Sequence, residues 1–300
     1  MEQTIIVKED HPERIDHDMM RELNLSRNVV QKMIQTNKIL VNQKPIKNSY
    51  RLKKGDVVTI EEYVPEEMKA EPEKMDLDII YEDDDVIVVN KPNGMVVHPA
   101  VGNPHGTLVN GLLYHSKELS DVNGEFRPGI VHRIDADTTG LLMVAKNNRA
   151  HEVLARQLEE KSTYRKYIAL VWGVIPHDTG EIDAPIGRDV KDRKKMAVTA
   201  TNSKDAVTHF KVLKRYKDAT LVELQLETGR THQIRVHMNY IGHPVVNDPV
   251  YGKRKKFDDS GQCLHAAALG FRHPKTGEYM EFESELPECF TNILKHFEES

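Results

Sequence analysis

Four runs of aliphatic and β-branched residues constrain this chain most: "DVIVVN" (85–90), "LLMVAK" (141–146), "YIALVWG" (167–173) and "ATLVELQL" (219–226). Each is six to eight residues long and rich in side chains that suit a pleated, buried surface, so each reads as a strand. Helical spacing returns after the second run, where Asn147 or Asn148 can cap a helix carrying Val153, Leu154 and Leu158 up to about Lys161. The C-terminal "CFTNILKHFEES" reads as another helix. Strand and helix do not alternate regularly, which predicts an α+β domain on a mainly antiparallel mixed sheet rather than repeated βαβ units.

The first sixty residues follow a different pattern. Ile15, Met19 and Leu23 recur at helical spacing, and Ser26 can cap a second helix with Val29, Val30, Met33 and Ile34 on one face. Two short strand-like runs follow, "KILVN" (38–42) and "DVVTI" (56–60). The chain carries a net charge of −5, yet from Arg21 to Lys54 nine Lys/Arg face a single acid, Glu22. That segregation predicts a basic binding face and, despite the overall sign, a nucleic-acid partner. Next comes "EEYVPEEMKAEPEKMD", acidic, proline-containing and without hydrophobic period, which reads as a solvated linker. The expected organisation is a small module at 12–62, a linker at 63–76 and a larger domain at 77–300.

Several chemistries are excluded by missing residues. The two cysteines, Cys263 and Cys289, form no Cys-x-x-Cys pair, which fits a reducing cytosol and argues against a thiolate zinc site. Fifteen histidines include no His-Glu-x-x-His, and His232 and His237 are five apart, a spacing that aligns two ligands on neither a helix nor a strand face. No phosphate-cradling glycine loop or Gly-x-Ser-x-Gly elbow occurs. The N-terminal "MEQTIIVKED" has no signal-peptide pattern, and no stretch is apolar enough to span a bilayer, so a cytoplasmic protein without membrane contact is expected.

Polar residues concentrate instead in three segments beside strand-like runs: "VVNKPNGMVVHP" (88–99), "VHRIDADTTG" (131–140) and "ETGRTHQIRVHMNYIGHP" (227–244). Any one could be a charged surface loop. Three together point to a cleft for a polar ligand.

These segments, in this order, resemble the motifs of RNA pseudouridine synthases of the RluA/RluD type. "NKPNGMVVHP" resembles the first motif and "GIVHRIDADTTGLLMVAKN" the catalytic one. "KYIALVWG" carries the family's tyrosine, "TGRTHQIRVHMNYIGHPVVNDPVYG" its arginine motif, and "LHAAALGFRHPKTGE" its closing strands. The basic module resembles the small RNA-binding domain named after ribosomal protein S-four. Departures are mild: Ile134 and Thr139 replace the commoner Leu and Ser, while Asn37 and Gln43 stand where glycine is usual. Asn tolerates a left-handed turn better than Gln does.

The resemblance implies that Asp135 is the catalytic carboxylate, Arg235 its counter-charge on a strand-like "HQIRVHM", and Tyr167 a catalytic ring that stacks on uracil and can assist in removing the C5 proton. It also implies that Arg133 fills the stack vacated by a flipped base, with His132, Arg230, Thr231 and His232 as further substrate-binding positions; Asp137 reads as structural. Converting uridine to pseudouridine is an isomerisation, so no metal or other cofactor is expected. The carboxylate could act as nucleophile or deprotonate the sugar, and the sequence leaves both routes open. Large-subunit rRNA is the expected substrate ahead of tRNA, with no protein partner required. The basic clusters 188–195 and 253–256 read as phosphate contacts. Two rivals remain: an RNA-binding assembly factor without chemistry, and an RNA glycosidase or nuclease.

Overall fold

A computed structural model describes residues 2–61, 70–100, 102–124, 127–192, 195–252 and 256–299. Residues 62–69 of the acidic stretch, and residues 193–194 and 253–255 of the two basic clusters, lie outside these. The chain divides into two compact units, Met1–Glu67 and Met68–Ser300.

The first unit contains β1 (Glu2–Ile6), α1 (Ile15–Glu22), α2 (Arg27–Gln35), β2 (Ile39–Val41) and β3 (Val57–Glu61). Its antiparallel sheet has the order β1-β3-β2, so its first strand comes from residues N-terminal to the module expected at 12–62. Ser26 caps α2 by accepting the Val29 N–H, and Ile15, Met19, Val30, Met33 and Ile34 pack onto Ile39, Val58 and Ile60. Asn37 and Gln43 both adopt left-handed backbone, with φ of 58° and 61°.

The second unit follows with β4 (Asp78–Glu82), β5 (Val86–Lys91), α3 (Leu108–His115), β6 (Thr139–Ala145), α4 (Asn148–Glu159) and β7 (Tyr164–Trp172). It continues through β8 (Thr179–Asp183), β9 (Ile186–Arg188), β10 (Met196–Val198), β11 (Ser203–Lys204), β12 (Val207–Arg215) and β13 (Ala219–Leu226). It ends with α5 (Gln233–Tyr240), β14 (Leu264–Arg272), β15 (Tyr279–Glu283) and α6 (Glu288–Glu298). The main sheet runs β4-β5-β6-β14-β7-β13-β12-β8, with β15 beside β14, and its single parallel pairing joins β6 to β14. A small sheet, β10-β9-β11, lies apart in sequence from its centre.

Strands β5 and β6 are buried on both faces because alternate residues feed two cores. Ile87, Val89, Leu142 and Val144 join the large core that also holds Trp172 and Phe297. Val86, Val88, Leu141 and Met143 pack with Ala150 and Leu154 of α4, whose first turn is capped by Asn147 accepting the Ala150 N–H at 2.9 Å.

The parallel pairing depends on one glycine. Gly140 sits at φ +108°, and a Cβ there would lie 2.2 Å from the Ala266 carbonyl oxygen. Bare backbone lets β6 approach β14 at the point where Ala266 faces Gly140 on one side and Tyr167 on the other. The row Gly140–Ala266–Tyr167–Leu224 therefore crosses four neighbouring strands. It fixes where the loop before β6 meets the middle of β7.

Candidate active site

That loop, residues 131–138, is pinned from several directions. Lys91, at the end of β5 and only 1% exposed, donates from Nζ to the Pro92 and Ala136 carbonyls at 2.8 and 2.6 Å. Burial pulls its ammonium down to about 7 against the opposing charges of Asp137 and Asp135. Asn93 donates to the Asp137 carbonyl at 3.1 Å, and the Thr138 N–H returns to the Asp135 carbonyl. Asp137 itself fills space that a side chain on Gly261 would occupy, and burial raises its carboxyl although Arg235 and Lys91 pull the other way.

The carboxylate of Asp135 is held by α5. Arg235 donates from Nη1 to Asp135 Oδ2 at 2.8 Å. The rest of its guanidinium is forked onto Asp248, Nε to Oδ2 at 2.6 Å and Nη2 to Oδ1 at 2.9 Å. Asp248 is fully buried and also accepts the Val250 and Tyr251 N–H groups. Burial disfavours both charges, but the pairing outweighs it, holding Asp248 below the ordinary carboxylate range and Arg235 above its usual value. Two-point attachment to Asp248 leaves Arg235 one donor edge, and that edge faces Asp135.

Helix α5 also corrects a sequence expectation. Residues 233–240 are helical, so Arg235 sits on a helix and not on a strand. Gln233 to Met238 are all buried, and a helix enclosed on every side carries no polar stripe to betray its period. His232 precedes it in left-handed backbone, φ 56°. The Tyr251 hydroxyl accepts the Met196 N–H at 3.0 Å and lies 2.9 Å from His232 Nδ1. The other ring nitrogen, Nε2, lies 3.8 Å from Asp135 Oδ1.

Asp135 opens into a cleft lined by Arg133, Arg165, Tyr167, Arg230, His232 and Arg235, among others. Tyr167 is 6% exposed, and burial raises its phenol above the ordinary value despite the counter-pull of Arg165. Arg133 is exposed at the rim. Arg230 lies along it, Nε donating to the Asp205 carbonyl at 2.9 Å.

Two expected positions lie elsewhere. His132 turns back to the sheet, accepting the Met143 N–H on Nε2 at 3.2 Å, and burial, then Arg165, push its imidazole down to about 3. Thr231 is exposed and outside the cleft lining. Conversely, sequence reasoning did not single out Asp248, Lys91 or Arg165. Asp248 lies within the quoted "VVNDPVYG", but nothing in that string signals a buried fork.

Among the described residues the grouping with metal-ligand spacing is Asp83, Asp85 and His273. Its donors are engaged: His273 Nδ1 accepts the Lys275 and Thr276 N–H groups, so Nε2 carries the hydrogen donated to Asp83 at 2.7 Å. No lone pair of that imidazole is left for a cation.

The chain belongs to the RNA pseudouridylate synthase family, whose model matches residues 85–240, and an S4 domain matches residues 21–58. It is 57% identical to a Bacillus subtilis protein named uncharacterized RNA pseudouridine synthase YlyB, over 96% of this chain and 95% of that one. It is 46% identical to the Zymomonas mobilis ribosomal large subunit pseudouridine synthase D, over 82% and 81% of the two chains. The human RNA pseudouridylate synthase domain containing 1 superposes with a TM-score of 0.58 at 25% identity, covering 79% of this chain and 98% of that structure. The protein is therefore an RNA pseudouridine synthase, an isomerase acting on RNA, and its fold is the family's α+β fold. Among the described residues no helix is long and apolar enough to cross a membrane.

Proposed function

We propose that this enzyme isomerises specific uridines of large-subunit ribosomal RNA in the cytoplasm, with Asp135 as the catalytic residue. The observation that carries the reading is Arg235, forked on buried Asp248 and donating its remaining edge to Asp135 at the mouth of a cleft walled by Tyr167 and arginines. The choice of RNA rests on relatives named for the large ribosomal subunit.

In the reaction the bond from uracil N1 to C1′ breaks and a bond from C5 to C1′ forms. N1 gains a proton and C5 loses one, so nothing is oxidised. Asp135 either attacks C1′ or removes a proton from the adjoining sugar carbon, and both routes need a carboxylate fixed beside the sugar. Arg235 supplies the fixed cation. Tyr167 provides an aromatic face for the uracil, its phenol kept neutral by burial. The base must first leave its helix, at roughly a few kcal/mol, and Arg133 at the rim takes the vacated position. Arg230 and His232 shape the wall, while His132 acts through the sheet. Residues 12–62 serve as the RNA-binding module and 77–300 as the catalytic domain.

The test combines two measurements. Asp135→Asn should release no tritium from uridine labelled at C5 while binding RNA within a few-fold of wild type; substantial turnover removes Asp135 from the role. Pseudouridine mapping of a deletion strain beside its parent should show sites lost from large-subunit rRNA, and sites lost only from tRNA would refute the choice of substrate.

A further inference from the structure

Strand β7 presents more to the cleft than Tyr167. Arg165 and Tyr167 of β7 both line it, Thr163 just before the strand continues the alternation, and all three are buried, at 8%, 6% and 7% exposure. Arg165 Nε and Thr163 Oγ1 are enclosed yet have no hydrogen-bond partner. Among the described residues no carboxylate pairs with Arg165. An enclosed donor without a partner is costly, and a guanidinium with its Nε so placed and no anion beside it is suited to a ligand that would satisfy it.

Its position is set by its neighbours. A Cβ on Gly229 would lie 3.0 Å from Arg165 Nη1, so that nitrogen sits against the segment leading into α5. Arg165 lines both the Asp135 cleft and an adjoining surface groove formed with Lys161, Thr163, His209 and Glu227. In that groove Glu227 already binds Lys161 and His209, each at 2.8 Å. Both Glu227 oxygens are thus engaged, Oε2 by the Lys161 ammonium and Oε1 by His209 Nε2.

We infer that Arg165, assisted by the Thr163 hydroxyl, forms a phosphate subsite that takes the RNA backbone next to the target uridine. The inference rests on reading the cleft as the pocket for the flipped nucleotide. A base stacked on Tyr167 has its backbone a short distance away, and successive inward residues of β7 step by about 6.6 Å along the strand. A charged fork with unused donors and a neighbouring hydroxyl suit phosphate oxygens, which accept and never donate. Contacts of this kind fix register without reading sequence. They would let the enzyme hold the flipped nucleotide from the sugar's outer side while Arg235 and Asp135 work on its inner side.

The test uses the full-length protein and a short single-stranded RNA with one uridine among adenosines. The RNA is made fully charged, or with an uncharged methylphosphonate on one side or the other of the uridine. Wild type should lose about tenfold in affinity when one flanking phosphate is neutralised. Arg165→Met should bind the fully charged RNA about tenfold more weakly, with a salt slope shallower by roughly 0.7, and should lose nothing more on neutralisation. Arg165→Lys should recover part of the affinity, and Thr163→Val should show a smaller loss in the same direction. On unmodified large-subunit rRNA transcript, Arg165→Met should raise KM by more than it lowers kcat.

Three results would overturn the subsite. One is wild-type affinity in Arg165→Met. Another is an equal penalty for neutralisation in both proteins, which would put Arg165 on the base. The third is no binding of the short RNA by wild type. Because the cycle is read by binding alone, it stays interpretable even if Asp135→Asn keeps its turnover.

Discussion

Replacing Asp248 with Asn tests whether the site is held by the buried fork or only decorated by it. The carboxylate accepts four N–H groups, two from Arg235 and two from the backbone of Val250 and Tyr251. Oδ1 takes three of them and Oδ2 only the Arg235 Nε–H, so an amide oriented to keep the three sets its NH2 against that last donor. The substitution thus removes the charge and turns one bond into a donor–donor contact. With Arg235 4% exposed and Asp248 fully enclosed, the loss belongs to the buried class, about 3–5 kcal/mol. In a unit of this size each kcal/mol moves the melting temperature by roughly 2–4 °C, so a fall on the order of 10 °C is expected by calorimetry. Turnover should fall at least about 100-fold, because an Arg235 freed from its anchor no longer fixes Asp135 against the sugar. The pH dependence has a definite sign. Asp248 titrates below its ordinary value in the folded protein, so its stabilisation is complete above about pH 4 and drains away as pH falls through the folded pKa. The gap in melting temperature between wild type and Asp248→Asn should therefore be constant at neutral pH and narrow below pH 4. A variant within threefold of wild-type turnover and within about 2 °C of its melting point would refute the anchoring role.

Arg235→Leu should lose more tritium-release activity than Arg235→Lys, since Leu strands two carboxylates while Lys keeps a charge without the planar fork; equal activities would break the ion-pair account. Six cations of the first unit, Lys32, Lys44, Lys47, Arg51, Lys53 and Lys54, are exposed and form no ion pair among the described residues, unlike Arg21, Arg27 and Lys38. Changing all six to Gln should flatten the salt dependence of RNA binding by roughly 4 to 5 in log–log slope, and an unchanged slope would leave them a solvated surface. Gln43→Gly should relieve left-handed strain of roughly 1 kcal/mol and raise the first unit's melting transition by a few degrees; a lower transition would show that the turn is not strained.

The elements that sequence pattern identified were marked in one of two ways: by a short, dense run of aliphatic and β-branched residues, or by a capping residue at a helix start. Ser26 and Asn147 mark helix starts, and both accept the expected N–H. The run 85–90 lies one residue from β5 as observed. Helix α5 escaped because Ile234, Val236 and Met238 alternate as in a strand while burial on all sides removed the contrast that would have corrected the impression. Helix α3 carried a capping box at Thr107 and Asn110, but the asparagine stands where Glu or Gln would signal one. Asp135, Tyr167 and Arg235 were legible only through their motifs, since no spacing rule joins residues this far apart. Asp248 and Arg165 gave no comparable signal: the importance of each lies in which partner it has or lacks, and pairing is a property of the folded chain.

The close passage of β6 beside β14 at Gly140 has a bearing on when this enzyme first becomes competent. Thr139 and His265, bonded across that contact at 2.8 Å, are 126 positions apart, and Asp135 and Arg235 are separated by 100. Contacts of such long range close late, because the intervening chain must be ordered before they are rewarded. A nascent chain emerging through residue 250 already contains Asp135, Tyr167, Arg235 and Asp248, yet lacks the strand that lies between β6 and β7. Until β14 is made, Tyr167 has no neighbour on that side and the loop carrying Asp135 no floor. Fragments clipped before Leu264 should therefore be inert however many reactive groups they keep, and activity should be the last signal to return during refolding.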